Sequence, residues 1–213
     1  MSPLSKTNLE VMKMSFVLGI TGGIASGKST VVNIFKEKGF PVVDGDVVAR
    51  KIVAPGQPAL AEIAATFGLE MIQADGKLNR KKLGALIFQD DKKRQQLDKL
   101  MNPYLRQQIK AEIVAGKKIS PLVVADIPLM YEGHYDHYMD EVAVVYVDFL
   151  EQKKRLMARD LIDEKTAEVK IKSQMPLIEK KKLADTVFDN TGSKAKTVQQ
   201  VLNWLAVHFK NES

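Results

Sequence analysis

Cysteine is absent from the 213 residues, which excludes a disulfide framework and any zinc site built on thiolates and suits a reducing compartment. Nowhere do about 18 apolar residues run together, so no membrane span is expected. The opening MSPLSKTNLEVMKM holds no apolar run of signal-peptide length, and a cytoplasmic protein is the expectation. Internal repeats and low-complexity segments are missing, and so is an Asn-Lys-x-Asp guanine motif, which argues against a GTPase-like switch. Histidine is scarce. His134 and His137 in EGHYDHYMDE have metal-like spacing beside Asp136 and Asp140, but no third ligand accompanies them and a surface loop is the simpler reading. The single tryptophan, Trp204, reads as packing.

What is present is ordinary globular material, 45% hydrophobic and 27% charged, enough for one core in one domain with lobes. The net charge is +6, yet the basic clusters Arg80–Lys82, Lys92–Arg94, Lys153–Arg155 and Lys180–Lys182 are scattered rather than gathered into one block. Solvated helix faces explain them better than a nucleic-acid surface. Apolar runs recur at Phe16–Ile20, Phe40–Val43, Leu122–Ala125, Val142–Val147 and, more weakly, Thr186–Phe188. Runs without strict alternation suit strands buried on both faces, and the helical stretches between them point to a doubly wound parallel α/β sheet of five strands.

The first helix is expected from about Gly27 to Lys38, with Gly39 as its left-handed stop. A long insertion follows the second strand, far more than a crossover needs. Its PGQP and ADG stretches supply turns, while Asn79–Phe88 and Lys92–Ile113 read as helices, the second interrupted at or near Pro103. A second charged insertion runs from Glu151 to about Lys182, and Val198–Phe209 closes the chain as an amphipathic helix.

Directly after FVLGIT comes GGIASGKST, with the Gly22, Gly27, Lys28, Ser29 spacing of a phosphate-binding P-loop. A glycine-rich turn from strand into helix lets successive backbone N–H groups converge on phosphate oxygens at the positive end of the helix dipole. Lys28 is suited to the β- and γ-phosphates, and the Ser29 hydroxyl to Mg²⁺. The second strand ends in VVDGD, setting Asp44 and Asp46 at the carboxyl edge, where a carboxylate can orient an acceptor hydroxyl and take its proton. Asp46 also suits a helix N-cap before VVARKIV. Asp126 closes LVVAD, an apolar run ending in an acid, and is read either as a contact of the metal's water shell or as a loop cap.

TGGIASGKST, VVDGDVVAR followed by PGQPAL, DIPLMYE, and QMPLIEKKKLAD with DNTG together resemble the dephospho-CoA kinase family. The resemblance runs in motif order from about Phe16 to Phe209. It implies a P-loop kinase fold and transfer of the ATP γ-phosphate to the ribose 3′-hydroxyl of dephospho-CoA, the last step of coenzyme A synthesis. It implies residues 1–13 as an N-terminal extension and 14–213 as a single domain, with a core of 14–47, 117–150 and 183–213. The insertion at about 48–116 would bind the CoA moiety and that at about 151–182 would form a lid.

Carried over by position, Gly23 and Ala25, Ser26, Gly27, Lys28, Ser29 and Thr30 would hold ATP, and Asp46 would be the general base. Asp44 and Arg50 would lie at the acceptor, Arg155 and Arg159 would be lid arginines facing the transferring group, and Ser29 and Asp126 would serve Mg²⁺. No side-chain role falls to DNTG, where the family bounds adenine mainly with backbone. The implied partner is dephospho-CoA alone, without nucleic acid or membrane, acting on a monomer or weak homo-oligomer. The chain departs from the family at Ala25, where glycine is common, and at Asn102, where histidine is frequent. A methyl at 25 is tolerable if the backbone there is helical or extended. Another P-loop kinase of a small molecule or nucleoside monophosphate is the alternative.

Overall fold

The computed structural model describes residues 15–209, so the expected extension over 1–13 lies outside the described residues. Five strands, β1 (Phe16–Gly22), β2 (Val42–Asp44), β3 (Leu122–Asp126), β4 (Glu141–Tyr146) and β5 (Thr186–Asp189), form one all-parallel sheet in the order β2-β3-β1-β4-β5. Helices are α1 (Lys28–Glu37), α2 (Gly45–Lys51), α3 (Pro58–Phe67), α4 (Arg80–Phe88), α5 (Asp91–Lys117), α6 (Phe149–Asp160), α7 (Glu164–Lys172), α8 (Leu177–Leu183) and α9 (Lys194–His208). β1 is central. Its Ile20 stands opposite Asp126 of β3 and Ala143 of β4, which puts the ends of β1 and β3 side by side.

Alternate residues explain why these runs are apolar throughout. Leu18 and Ile20 of β1, Leu122 and Val124 of β3, and Ala143 and Val145 of β4 pack with Val31, Ile34 and Phe35 of α1 and with Val201 and Trp204 of α9. Between them in sequence, Val144 points the other way and joins Val147 and Leu177 of α8. Successive side chains on a strand face opposite ways, so helices on both sides bury nearly every position of β1, β3 and β4. Each fully buried side chain of this size contributes about 1.5–3 kcal/mol, which anchors the strand ends that carry the polar residues.

α1 stops where expected, with Gly39 at φ 84° donating its N–H to Lys36 O at 2.9 Å. α9 begins with Ser193 as its side-chain cap and ends in a latch. Glu141 Oε1 accepts from Trp204 Nε1 at 2.9 Å, its Oε2 lies 3.0 Å from His208 Nε2, and the His208 ring stacks on Trp204 at 4.0 Å.

The chain divides into two compact units, one made of the residues up to Val43 with those from Ile113 onward, the other of Asp44–Glu112. Within the second, the ADG turn forms a small hairpin with Ile72 bridged to Leu78 and Gly76 at φ 79°. Lys51 pairs with Glu112 at 2.9 Å, and the Tyr104 hydroxyl donates to Glu62. The break expected at Pro103 does not occur, because α5 runs unbroken for 27 residues with the proline inside it. A proline removes one N–H and crowds one carbonyl, and a helix this long keeps its other bonds on both sides. Among the described residues no helix is long and apolar enough to cross a membrane.

Candidate active site

The loop between β1 and α1 is shaped by what surrounds it. Gly27 is the N-cap of α1, at φ 83° and ψ 22°. A Cβ there would lie 2.1 Å from Asn190 Nδ2, so both its dihedral and its surroundings demand glycine. The first N–H groups of α1, on Lys28 and Ser29, have no carbonyl behind them within the helix, and the helix dipole adds positive potential at that point. Ser29 is exposed, and Thr30 N–H bonds Gly27 O at 2.9 Å. The helical or extended backbone that would make a methyl at Ala25 free of strain is not found. Its φ is 58°, a left-handed conformation costing an L-residue about 1–2 kcal/mol, and the methyl is packed against Leu156, Ala167 and Ile171.

Lys28 opens α1 and its ammonium is paired with the Asp126 carboxylate at the end of β3. The register of Ile20 against Asp126 is what brings an acid to the foot of the loop. Asp126 is therefore the partner of the loop lysine.

Three side-chain amides brace the loop, and none was singled out in the sequence. Asn190, after β5, donates from Nδ2 to Ser26 O at 2.8 Å and accepts from the Thr197 hydroxyl at 2.9 Å. The absence of a side-chain role for DNTG is thus corrected. Gln152 of α6 donates to Ile24 O at 2.8 Å, and Gln174 accepts from Ile24 N–H at 2.9 Å. Buried amides leave no periodic signature, and only the position of Asn190 directly after the last strand could have pointed to it.

The two expected lid arginines part ways. Arg155 donates through Nη2 to Asn190 O at 2.9 Å and through Nε to Glu151 at 2.8 Å, and its Nη1 is 3.9 Å from where a Gly27 side chain would begin. It stands at the phosphate loop. Arg159, one turn further along α6, is exposed and bonds Asp160 at 2.8 Å. With Lys170 also on it, Asp160 is held down to about 2, the Arg159 hydrogen bond being the larger cause.

Lys180 departs from the solvated cluster in which the sequence placed it. It is 0% exposed, bonding Pro128 O at 2.7 Å and Glu132 at 3.0 Å. Burial pushes its pKa down, opposed by Glu132 and reinforced by Lys28. Glu132 Oε1 also accepts from Met175 N–H at 3.1 Å, while Thr21 donates its hydroxyl to the same Pro128 carbonyl at 2.9 Å. The loop after Asp126 is thereby tied to β1 and to α8.

Asp44, Asp46 and Arg50 belong to the second unit. The N-cap read at Asp46 falls instead on Asp44, whose Oδ1 accepts from Asp46 N–H at 2.9 Å and Val47 N–H at 3.0 Å. Asp46 and Arg50 follow as exposed residues of α2, one turn apart and hence on one face. His137 lies against Tyr138 with ring centroids 4.0 Å apart, and among the described residues no group of three or more His, Cys, Asp and Glu is arranged to hold a metal ion.

The family model CoaE, dephospho-CoA kinase, matches residues 16–196. A dephospho-CoA kinase of Enterococcus faecalis is 55% identical over 192 residues, covering 90% of this chain and 96% of the relative. Among solved structures, TT1252 from Thermus thermophilus superposes with a TM-score of 0.79 at 29% identity, covering 92% of this chain and 99% of that one. Dephospho-CoA kinase from Campylobacter jejuni does so at 0.70 and 28%, covering 90% and 96%.

Proposed function

The chain belongs to the dephospho-CoA kinase family, and from that premise we propose how its residues move the ATP γ-phosphoryl group to the ribose 3′-hydroxyl of dephospho-CoA. The 3′-oxygen forms a bond to the γ-phosphorus, the bond to the β,γ-bridging oxygen breaks with its electron pair leaving on ADP, and the hydroxyl proton passes to Asp46. CoA and ADP are the products. The observation that carries the reading is the phosphate loop itself, with Gly27 at φ 83° opening α1 and Lys28 set against Asp126.

Transfer of this kind asks for positioning and charge neutralisation more than covalent chemistry. Gly23 and the residues from Ala25 to Thr30 cradle the triphosphate, and Lys28 exchanges the Asp126 carboxylate for β- and γ-phosphate oxygens. Arg155, already at the loop, presents planar and permanently charged donors to the same group. Arg159 joins it by leaving Asp160, an exchange that exposed ion pairs make readily. Asp44 is spent on capping α2, which leaves Asp46 as the acid of the pair with its carboxylate exposed, and this supports the base role. Arg50 on the same face of α2 is assigned to the acceptor.

The Ser29 hydroxyl and the Asp126 carboxylate are the hard oxygen donors that Mg²⁺ takes, and on that donor chemistry the residues fit the ion. When bound, Mg²⁺ would neutralise charge on the β- and γ-phosphates. We assign the segment 151–182 to a lid that excludes water, the insertion 48–116 to the CoA moiety, and the working enzyme to the cytoplasm as a monomer or weak homo-oligomer. Incubation with Mg-ATP and dephospho-CoA, adenylate or shikimate in separate reactions, with ADP release as readout, tests the assignment. Acceptor-dependent turnover with dephospho-CoA alone is expected, and turnover only with an acceptor lacking the CoA arm would overturn it.

A further inference from the structure

We propose that Gln152 and Gln174 are positioning residues that lock the phosphate loop through the main chain of Ile24, making the shape of the ATP site depend on the helical segment α6 to α8. The inference rests on the reading of that loop as the triphosphate cradle. Gln152 is 3% exposed and donates from Nε2 to Ile24 O at 2.8 Å. Gln174, in the turn between α7 and α8, accepts from Ile24 N–H through Oε1 at 2.9 Å. A backbone N–H can only donate and a carbonyl only accept, so the orientation of each side-chain amide is dictated by its partner.

The neighbours of Ile24 are shaped by the same segment. A Cβ on Gly23 would stand 2.7 Å from Gln152 Nε2, so the close approach of that amide needs glycine there. On the other side, Ala25 holds φ 58° with its methyl in the cluster of Leu156 from α6 and Ala167 and Ile171 from α7. Three consecutive loop residues are therefore set by room for an amide, by two hydrogen bonds and by a strained apolar contact. A strained backbone persists only where its surroundings over-determine it, and here those surroundings are α6 and α7. Because Ile24 N–H is taken by Gln174, it is not among the donors offered to phosphate, and that task falls to the residues after it. The segment also carries Arg155, so the shape of the loop and the delivery of the arginine are coupled.

The test is steady-state kinetics of the full chain with Mg-ATP and dephospho-CoA, resolving kcat and both KM values, together with thermal unfolding. Gln152→Met and Gln174→Met each remove one bond and should raise the KM for ATP about three- to tenfold. The KM for dephospho-CoA should stay within about twofold, with unfolding shifted by only a few degrees, since one hydrogen bond is a small part of the whole. Gln174→Glu keeps an accepting oxygen toward Ile24 N–H and should recover at least half of the Gln174→Met loss. Gln152→Glu turns an oxygen toward the Ile24 carbonyl and should be worse than Gln152→Met. Both glutamates add a charge beside Ile24, but only Gln174→Glu keeps its hydrogen bond, so its recovery relative to Gln174→Met is the reading of that bond. No recovery by Gln174→Glu over Gln174→Met, or a rise in both KM values together with a large drop in unfolding temperature, would overturn the proposal. Should Gln152 variants fail to fold, the Gln174→Met and Gln174→Glu pair decides it. Lys28→Ala serves as the control. If it leaves the KM for ATP unchanged, the reading of the loop falls; if it weakens ATP while the glutamine variants are silent, only this proposal does.

Discussion

Replacing Lys180 by methionine removes a charge while nearly preserving the length and apolar body of the side chain. The Nζ group is wholly buried, with Pro128 O at 2.7 Å and Glu132 at 3.0 Å. After Lys180→Met, Glu132 retains Met175 N–H on Oε1, while its Oε2 is buried without a partner. Breaking a buried pair from one side typically costs about 3–5 kcal/mol. The Glu132 side chain is 24% exposed, so partial hydration places the expected loss near about 3 kcal/mol. For a chain of this size that is a fall in unfolding temperature of about 6–12 °C. Lys180→Met/Glu132→Gln, which neutralises the stranded acid, should recover about 1–2 kcal/mol of it.

Denaturant titration followed by Trp204 fluorescence reads both variants. pH gives a second handle. Burial holds the folded Lys180 pKa below its ordinary 10.5, so above that folded value the unfolded chain binds the proton more tightly. Stability from this group therefore rises with pH between the folded and unfolded pKa values, and the advantage of wild type over Lys180→Met should grow toward pH 10. A loss under about 1 kcal/mol, or a double variant no better than Lys180→Met alone, would refute the argument that the pair is coupled.

Other perturbations separate chemistry from scaffold. Asp46→Asn should lower kcat roughly 10²- to 10⁴-fold with little change in ATP affinity, measured by isotope-labelled phosphoryl transfer and by nucleotide titration; near-normal turnover would remove Asp46 from the base role. Gly27→Ala places a methyl on Asn190 Nδ2 at φ 83°, and should weaken ATP binding about 5- to 30-fold even when Asn190→Gly clears the clash, because the left-handed strain of about 1–2 kcal/mol remains. His208→Ala loosens the α9 latch on Glu141 and should cost about 1 kcal/mol, seen as a lower denaturant midpoint with unchanged kinetics.

Much of the fold is local and was therefore readable along the chain. Strands buried on both faces announce themselves as unbroken Val and Ile runs, and Gly39 marks the end of α1 by a dihedral that only glycine adopts freely. The phosphate loop was legible for the same reason, its glycines, lysine and serine being contiguous. The identities of Lys28 and Asp126 could be read, but not their pairing, since that depends on the parallel register of β1 and β3. Asp44 capping α2 in place of Asp46 was within reach of local reasoning, and the choice between two adjacent acids turned on which carboxylate met the free N–H groups.

What tertiary structure alone decided lies in contacts between residues far apart in sequence. Gln152 and Gln174 reach Ile24 across 128 and 150 positions, and Asn190 reaches Ser26 across 164. An amide that satisfies a buried backbone group looks, in sequence, like any surface glutamine or asparagine. Lys180 was misjudged for a related reason: three consecutive lysines on α8 must point in different directions around the helix, and only the packed neighbours determine which one is taken out of water. Pattern along the chain specifies backbone and apolar faces, whereas the partner of a polar group is set by the fold that brings its other half near.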